Sequence, residues 1–258
     1  MIAVSHASAA AFSGHAPFKR RLRTIHNGTA LDKFPLKDKL SALRFKASLG
    51  IPEDSFVVCA LGQICARKGL LEVLQAFRRI HVDAPKMHLA VVGKAVFEHE
   101  EAYRDSLVAY AAATGIKERV HFTGERRDVS EVLQGSDLLV LNSHQEPFGL
   151  VLVESMSSGT PVLAARVGGI PEIVTDGLDG WLVANGDTNA LAEKMLQLSR
   201  DTAERDAIAE RAYRFTRPQF SLERFKSDLH SFYSALKQSR NVQLTTNARP
   251  ALASHGED

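Results

Sequence analysis

Glu146 and Glu154 lie in the stretch "HQEPFGLVLVESMSSGTPVLAARVGGIPEIVTDGLDGWLV", residues 144–183, with seven residues between them that include Phe148 and Gly149. A glycine at this point lets backbone approach a ligand closely. It also opens a helix whose first amides lack internal partners and carry the positive end of the helix dipole. One segment thus offers two carboxylates and an anion-binding helix tip. Carboxylates accept hydrogen bonds from hydroxyls, so the arrangement suits a sugar nucleotide: amides for the diphosphate, one acid for the ribose, the other for the transferred sugar. Two acids alone are weak evidence, because a glutamate near a helix start commonly just complements the dipole.

A second corner is "GQICARKG", residues 62–69, which follows an apolar run and leads into a helix. It has neither the spacing nor the terminal Ser or Thr of a Walker A loop, and the chain contains no G-x-G-x-x-G. A lysine entering a helix N-terminus beside exposed amides still makes a phosphate-binding corner, here from Lys68 with Arg67 next to it. Taken singly, these two cations read as solvated surface charges.

These residues need elements to position them. Short apolar runs ("RTIHN", "FVVCALG", "MHLAVVG", "VHFTG", "DLLVLNS", "PVLAA", "GWLV") alternate with helical patterns near 37–49, 68–81, 98–114, 129–135, 149–158, 170–175 and 187–199. This alternation predicts an α/β fold, a doubly wound, Rossmann-like parallel sheet covered by helices on both faces. In such sheets ligands bind at the carboxyl ends of the strands, which here carry Gly62, Gly93, Gly124, Asn142 and Ser143. Residues 201–238 read as charged C-terminal helices broken around Pro218. One ordered unit is expected over 24–240, with 1–23 as a linker or the remnant of something larger, and 241–258 as a disordered tail.

Bulk properties exclude several classes. The 258 residues are 45% hydrophobic with a formal charge of +2, from 32 basic and 30 acidic side chains, so charge does not point to nucleic acid. Cys59 and Cys65 match neither a zinc spacing nor a disulfide framework, and "HEEAY" at His99 lacks a second histidine, so no metal is expected. No run is long enough to span a bilayer, and no signal peptide is evident. The expected location is cytoplasmic, at most peripheral to the inner face of the membrane. The basic run "FKRRLR", residues 18–23, is too short to argue for lipid or nucleic acid and reads as a solvated linker.

The forty-residue stretch does not stand alone. Together with "NGTALDKF" (27–34), "KGLLEVLQAF" (68–77), "VHFTGERRDVSEVL" (120–133), "EPFGLVLVESMSSGTPVLA" (146–164), "GGIPEIVTDGLDGWLV" (168–183) and "FSLERFKSDLHSFYSAL" (220–236), it resembles the donor-binding half of retaining glycosyltransferases of family 4, which have the GT-B fold. The likeness runs in family order from residue 24 to about 240. It implies that Glu146 contacts the donor sugar and stabilises positive charge at the anomeric carbon, while Glu154 holds the ribose. It implies further that backbone amides at Phe148, Gly149, Leu150 and Val151 meet the diphosphate and sugar, and that Lys68 neutralises the leaving phosphate. No cofactor and no metal are implied; cations and helix amides take that role. The substrate is then a UDP-, GDP- or ADP-sugar.

The chain departs from the family pattern twice. An arginine usually follows the glycine at the strand end; Gln63 stands there, beside Gly62, leaving Arg67 as the nearest substitute. A complete GT-B enzyme also has a first, acceptor-binding Rossmann-like domain, which the resemblance does not cover beyond "MIAVSHAS". The expectation is therefore a donor-binding half that needs an acceptor domain, missing or supplied by a separate chain, for full activity on an acceptor that the sequence does not identify. The alternative is a non-catalytic nucleotide-sugar-binding or protein-interaction module.

Overall fold

The structure, a computed structural model, describes residues 1–12 and 22–246, with side chains to residue 238. In chain order the elements are β1 (Ile2–Ala3), α1 (His6–Ala10), β2 (Arg23–Thr24), α2 (Lys39–Ser48), β3 (Phe56–Leu61), α3 (Leu70–Ile80), β4 (Met87–Val92), α4 (Glu98–Ala113), β5 (Val120–Gly124), α5 (Val129–Gly135), β6 (Leu138–Leu141), α6 (Leu150–Ser157), β7 (Val162–Ala165), β8 (Trp181–Val183), α7 (Thr188–Arg200), α8 (Thr202–Gln219) and α9 (Leu222–Thr246). Six strands form one sheet in the order β5-β4-β3-β6-β7-β8. Every pairing in it is parallel. The chain winds outward from β3, then returns to start again at β6 on its other side. That reversal opens a crevice at the carboxyl ends of β3 and β6.

Strands buried on both faces explain the continuous apolar runs. Val58, Ala60, Leu89, Val91, Leu138 and Val140 point into the core shared with α3, α4 and α7. Their neighbours Val57, Cys59, Ala90, Val92, Leu139 and Leu141 point into the opposite core, as the two-residue period of a strand requires. Cys59 and Cys65 are free thiols, and burial pushes the Cys59 pKa up to about 12.

Three expectations are corrected and one is met. "RTIHN" does not enter the main sheet; only Arg23–Thr24 is a strand, paired with Ile2–Ala3. The carbonyls of His26 and Asn27 accept from the Arg224 guanidinium of α9 at 2.7 and 3.2 Å, which binds this stretch to the C-terminal helix instead. The helix expected at 170–175 is one 3-10 turn, Ile170–Glu172. The Thr175 amide turns to the Asp179 carboxylate at 2.6 Å instead of extending the helical ladder. The break expected around Pro218 is present: α8 ends at Gln219 and α9 starts at Leu222, with Phe220 and Ser221 between them. Finally, α9 continues to Thr246, beyond the boundary expected at 240. Residues 18–21 of the basic run and 247–258 of the tail lie outside the described residues.

Candidate functional site

The loop after β3 brings Lys68 to the crevice. Ala66–Lys68 forms a 3-10 turn, the chain passes through left-handed Gly69, and α3 begins only at Leu70. Lys68 therefore sits before the helix, not in it. A small cavity at the reversal point is lined by Gly62, Gln63, Lys68 and Asn142, from the carboxyl ends of β3 and β6.

From the other side, the loop after β6 delivers Glu146. Its Oε2 takes the Lys68 ammonium at 2.7 Å and the Ser143 hydroxyl at 3.2 Å. Oε1 has no hydrogen-bond partner among the described residues. The two charged side chains are 16% and 10% exposed. At this depth the attraction is worth about 4 kcal/mol before the cost of desolvating both charges is set against it. A fixed cation thus lies beside a fixed anion with one free oxygen.

Three residues after Glu146 the backbone turns at Gly149, whose φ is +104°, a value disfavoured for any residue with a Cβ, and α6 starts at once. No side chain caps this helix and its first turn holds no acid; the Leu152 amide donates to the Gly149 carbonyl at 2.9 Å, which leaves the amides of Leu150 and Val151 for a ligand. Phe148 turns inward, 3% exposed, and packs edge-on against Phe220 at 5.8 Å between centroids. Its side chain belongs to the core, and only its backbone faces the loop. Glu154, on α6, is half-buried, and its carboxylate has no hydrogen-bond partner among the described residues. Burial pushes its pKa up to about 7. An acid held dry and unpaired is a liability unless a ligand supplies donors.

Two of the expected donor-binding residues point elsewhere. The Gln63 side-chain amide donates to both oxygens of Glu100, at 2.6 and 2.8 Å, across the end of the sheet. Glu100 also accepts from the amides of Val96 and Phe97. The Gln63 amide, then those backbone amides, hold the Glu100 carboxyl below its usual pKa. The Arg67 guanidinium bonds the Gln145 carbonyl at 3.1 Å, within the loop that carries Glu146. His144 is tied to Glu72 and Asn185.

The sequence reading missed Glu100 and Glu172. Glu100 is the N3 residue of α4 and takes the Phe97 amide at 3.3 Å, but Phe97 has no side-chain acceptor to return the bond, so "FEHE" lacks the capping-box pattern that would have marked it. Glu172 lies in "GGIPE". It accepts the amides of His6 and Ala7 at 2.8 and 2.9 Å and meets the His26 ring at 2.8 Å. Burial opposes its ionisation, yet these three contacts outweigh burial and hold its pKa below the ordinary value. No local pattern could announce contacts that reach back more than 140 residues.

Residues 42–215 match the family described as glycosyl transferases group 1. The chain belongs to that family. This group 1 family member is 31% identical over 207 residues to the N-acetyl-alpha-D-glucosaminyl L-malate synthase of Bacillus anthracis, covering 80% of the chain and 52% of that protein. It is 33% identical over 246 residues to the D-inositol 3-phosphate glycosyltransferase of Mycobacterium leprae, covering 92% of the chain and 56% of that protein. The chain thus spans about half the length of these curated relatives. Its fold superposes on Anabaena Alr3699/HepE, solved in complex with UDP-glucose, with a TM-score of 0.85 and 28% identity over 91% of this chain and 63% of that one. The Rossmann-like parallel sheet of this group 1 member is accordingly the one found in GT-B glycosyltransferases. Among the described residues no helix is long and apolar enough to cross a membrane.

Proposed function

We propose that the chain is the donor-binding half of a retaining glycosyltransferase of family 4, acting on a nucleoside-diphosphate sugar. The observation that carries this reading is one segment, Ser143 to Glu154, that brings a lysine-paired glutamate and an uncapped helix tip to the carboxyl end of β6 and carries an unpartnered acid along the same helix. The complex of the similar Anabaena protein with UDP-glucose supports it.

Each group then has a role set by its charge and position. The α6 amides of Leu150 and Val151 hold diphosphate oxygens, and Lys68 neutralises the charge that gathers on the leaving phosphate. Glu146 faces the sugar with its free Oε1 and stabilises positive charge at the anomeric carbon. Glu154 receives ribose hydroxyls, which provide the donors its carboxylate lacks. In the transfer the anomeric carbon–oxygen bond to phosphate breaks, its electron pair leaves with the nucleoside diphosphate, and an acceptor hydroxyl forms the new bond as its proton passes to the departing diphosphate oxygen. No metal is required, because Lys68 and the helix amides meet the developing phosphate charge. The acceptor is held by a further domain or chain, and the enzyme works in the cytoplasm or at the inner membrane face.

Thermal unfolding with UDP-, GDP- and ADP-sugars tests the reading. A native-state ligand at about a hundred times its Kd adds about 2.7 kcal/mol, so one of the three donors raises Tm. That rise disappears in Lys68→Ala. Unmoved melting curves with all three donors would refute the proposal.

A further inference from the structure

His6, His26 and Glu172 come from three distant stretches of the chain, yet each places a potential ligand atom within 4.8 Å of the other two. His26 Nε2 lies 2.8 Å from Glu172 Oε2. The His6 ring stands edge-on to that of His26, 87° between planes and 5.6 Å between centroids. A hydrogen-bonded His26–Glu172 pair explains only two of the three. The ring nitrogens of His6 bond to nothing among the described residues, although that ring is brought up to the pair and its own backbone amide is bound to the same carboxylate.

We propose that these three side chains form a site for a divalent ion of the zinc class. Two imidazoles and one carboxylate, with a fourth position open to water, are a known zinc donor set, and imidazole nitrogen favours zinc, cobalt or nickel over magnesium or calcium. Bonds of about 2.0–2.2 Å in a tetrahedron put ligand atoms roughly 3.3 Å apart, which lies between the His26–Glu172 separation and the outer spread of the cluster. His6 is exposed, so its ring can swing to close the gap. The amides of His6 and Ala7 orient the Glu172 carboxylate, as outer partners orient metal ligands.

The ion would join the N-terminal stretch and the segment after β2 to the "GGIPE" turn. That turn bears on the Glu146 loop, where the Gly169 amide donates to the Glu146 carbonyl at 2.9 Å. His26 also stacks on Phe148, 5.6 Å between centroids. The site would therefore brace the loop that presents Glu146, through Gly169 and Phe148. It does not depend on the nature of the donor.

Chelator-treated chain titrated with Co2+ tests this by the absorption of low-coordinate cobalt. One ion per chain, displaced by Zn2+, is expected. His6→Ala should weaken binding by about tenfold or more; its exposed side chain makes no hydrogen bond whose loss would unfold the protein. Glu172→Gln should do the same, with circular dichroism reporting the fold. His88→Ala, which breaks the separate His88–His121 contact, should leave binding unchanged. Absence of stoichiometric cobalt, unchanged affinity in His6→Ala, or loss of binding in His88→Ala instead would each overturn the site.

Discussion

The ammonium of Lys68 lies 2.7 Å from Oε2 of Glu146, across 78 residues of sequence, and little of either side chain reaches water. The contact joins the two loops that flank the sheet's reversal point, so site geometry and stability are linked in one ion pair.

Removing one partner leaves the other charged and dry. Lys68→Ala is expected to cost about 3–5 kcal/mol of stability as well as donor binding. The double variant Lys68→Met/Glu146→Met should recover most of the stability and none of the binding. Urea titrations of wild type and variants decide this; identical midpoints for Lys68→Ala and wild type would mean that the pair contributes nothing.

Glu154 gives a pH dependence. Its folded-state pKa is about 7 against an ordinary 4.5, so between those values the native protein holds a proton that the unfolded chain has released. Its effect on stability is most favourable below the unfolded pKa and fades as pH rises through 7. Glu154→Gln should therefore be more stable than wild type at about pH 8, by at most roughly 3 kcal/mol. That gain should vanish near pH 5, and donor affinity should be weaker in the variant. A stability difference independent of pH would contradict the unpaired carboxylate.

Gln63 was expected to face the donor, yet Glu100 holds it. An arginine placed there meets the same carboxylate first, so Gln63→Arg alone should leave donor affinity unchanged. Gln63→Arg/Glu100→Gln frees the guanidinium and should tighten nucleotide-sugar binding by about tenfold, the worth of one charged hydrogen bond. Calorimetry on the single and double variants distinguishes the two; an equal gain from Gln63→Arg alone would show that Glu100 does not compete.

Gly168 has a φ of +51°, and a Cβ there would lie 2.0 Å from the Glu146 carbonyl oxygen. Both backbone strain and contact with an unyielding atom oppose a side chain. Gly168→Ala should lose about 1–3 kcal/mol and displace Glu146, so Tm and the donor-induced shift fall together. A variant with wild-type Tm would show that the loop has slack.

The alternation of apolar runs with helical patterns determined the parallel α/β fold, because strands buried on both faces must be apolar throughout and the crossovers must be helical. The local sequence around Gly149 showed a helix tip flanked by two acids, Glu146 and Glu154, while Lys68 was marked by the family resemblance. Tertiary structure alone decided which of them meet. Lys68 closes on Glu146, Gln63 turns away to Glu100, and His6, His26 and Glu172 converge from three stretches of the chain. Such contacts depend on how distant elements are packed, and hydrophobic periodicity records which face a residue turns inward but not which partner waits there.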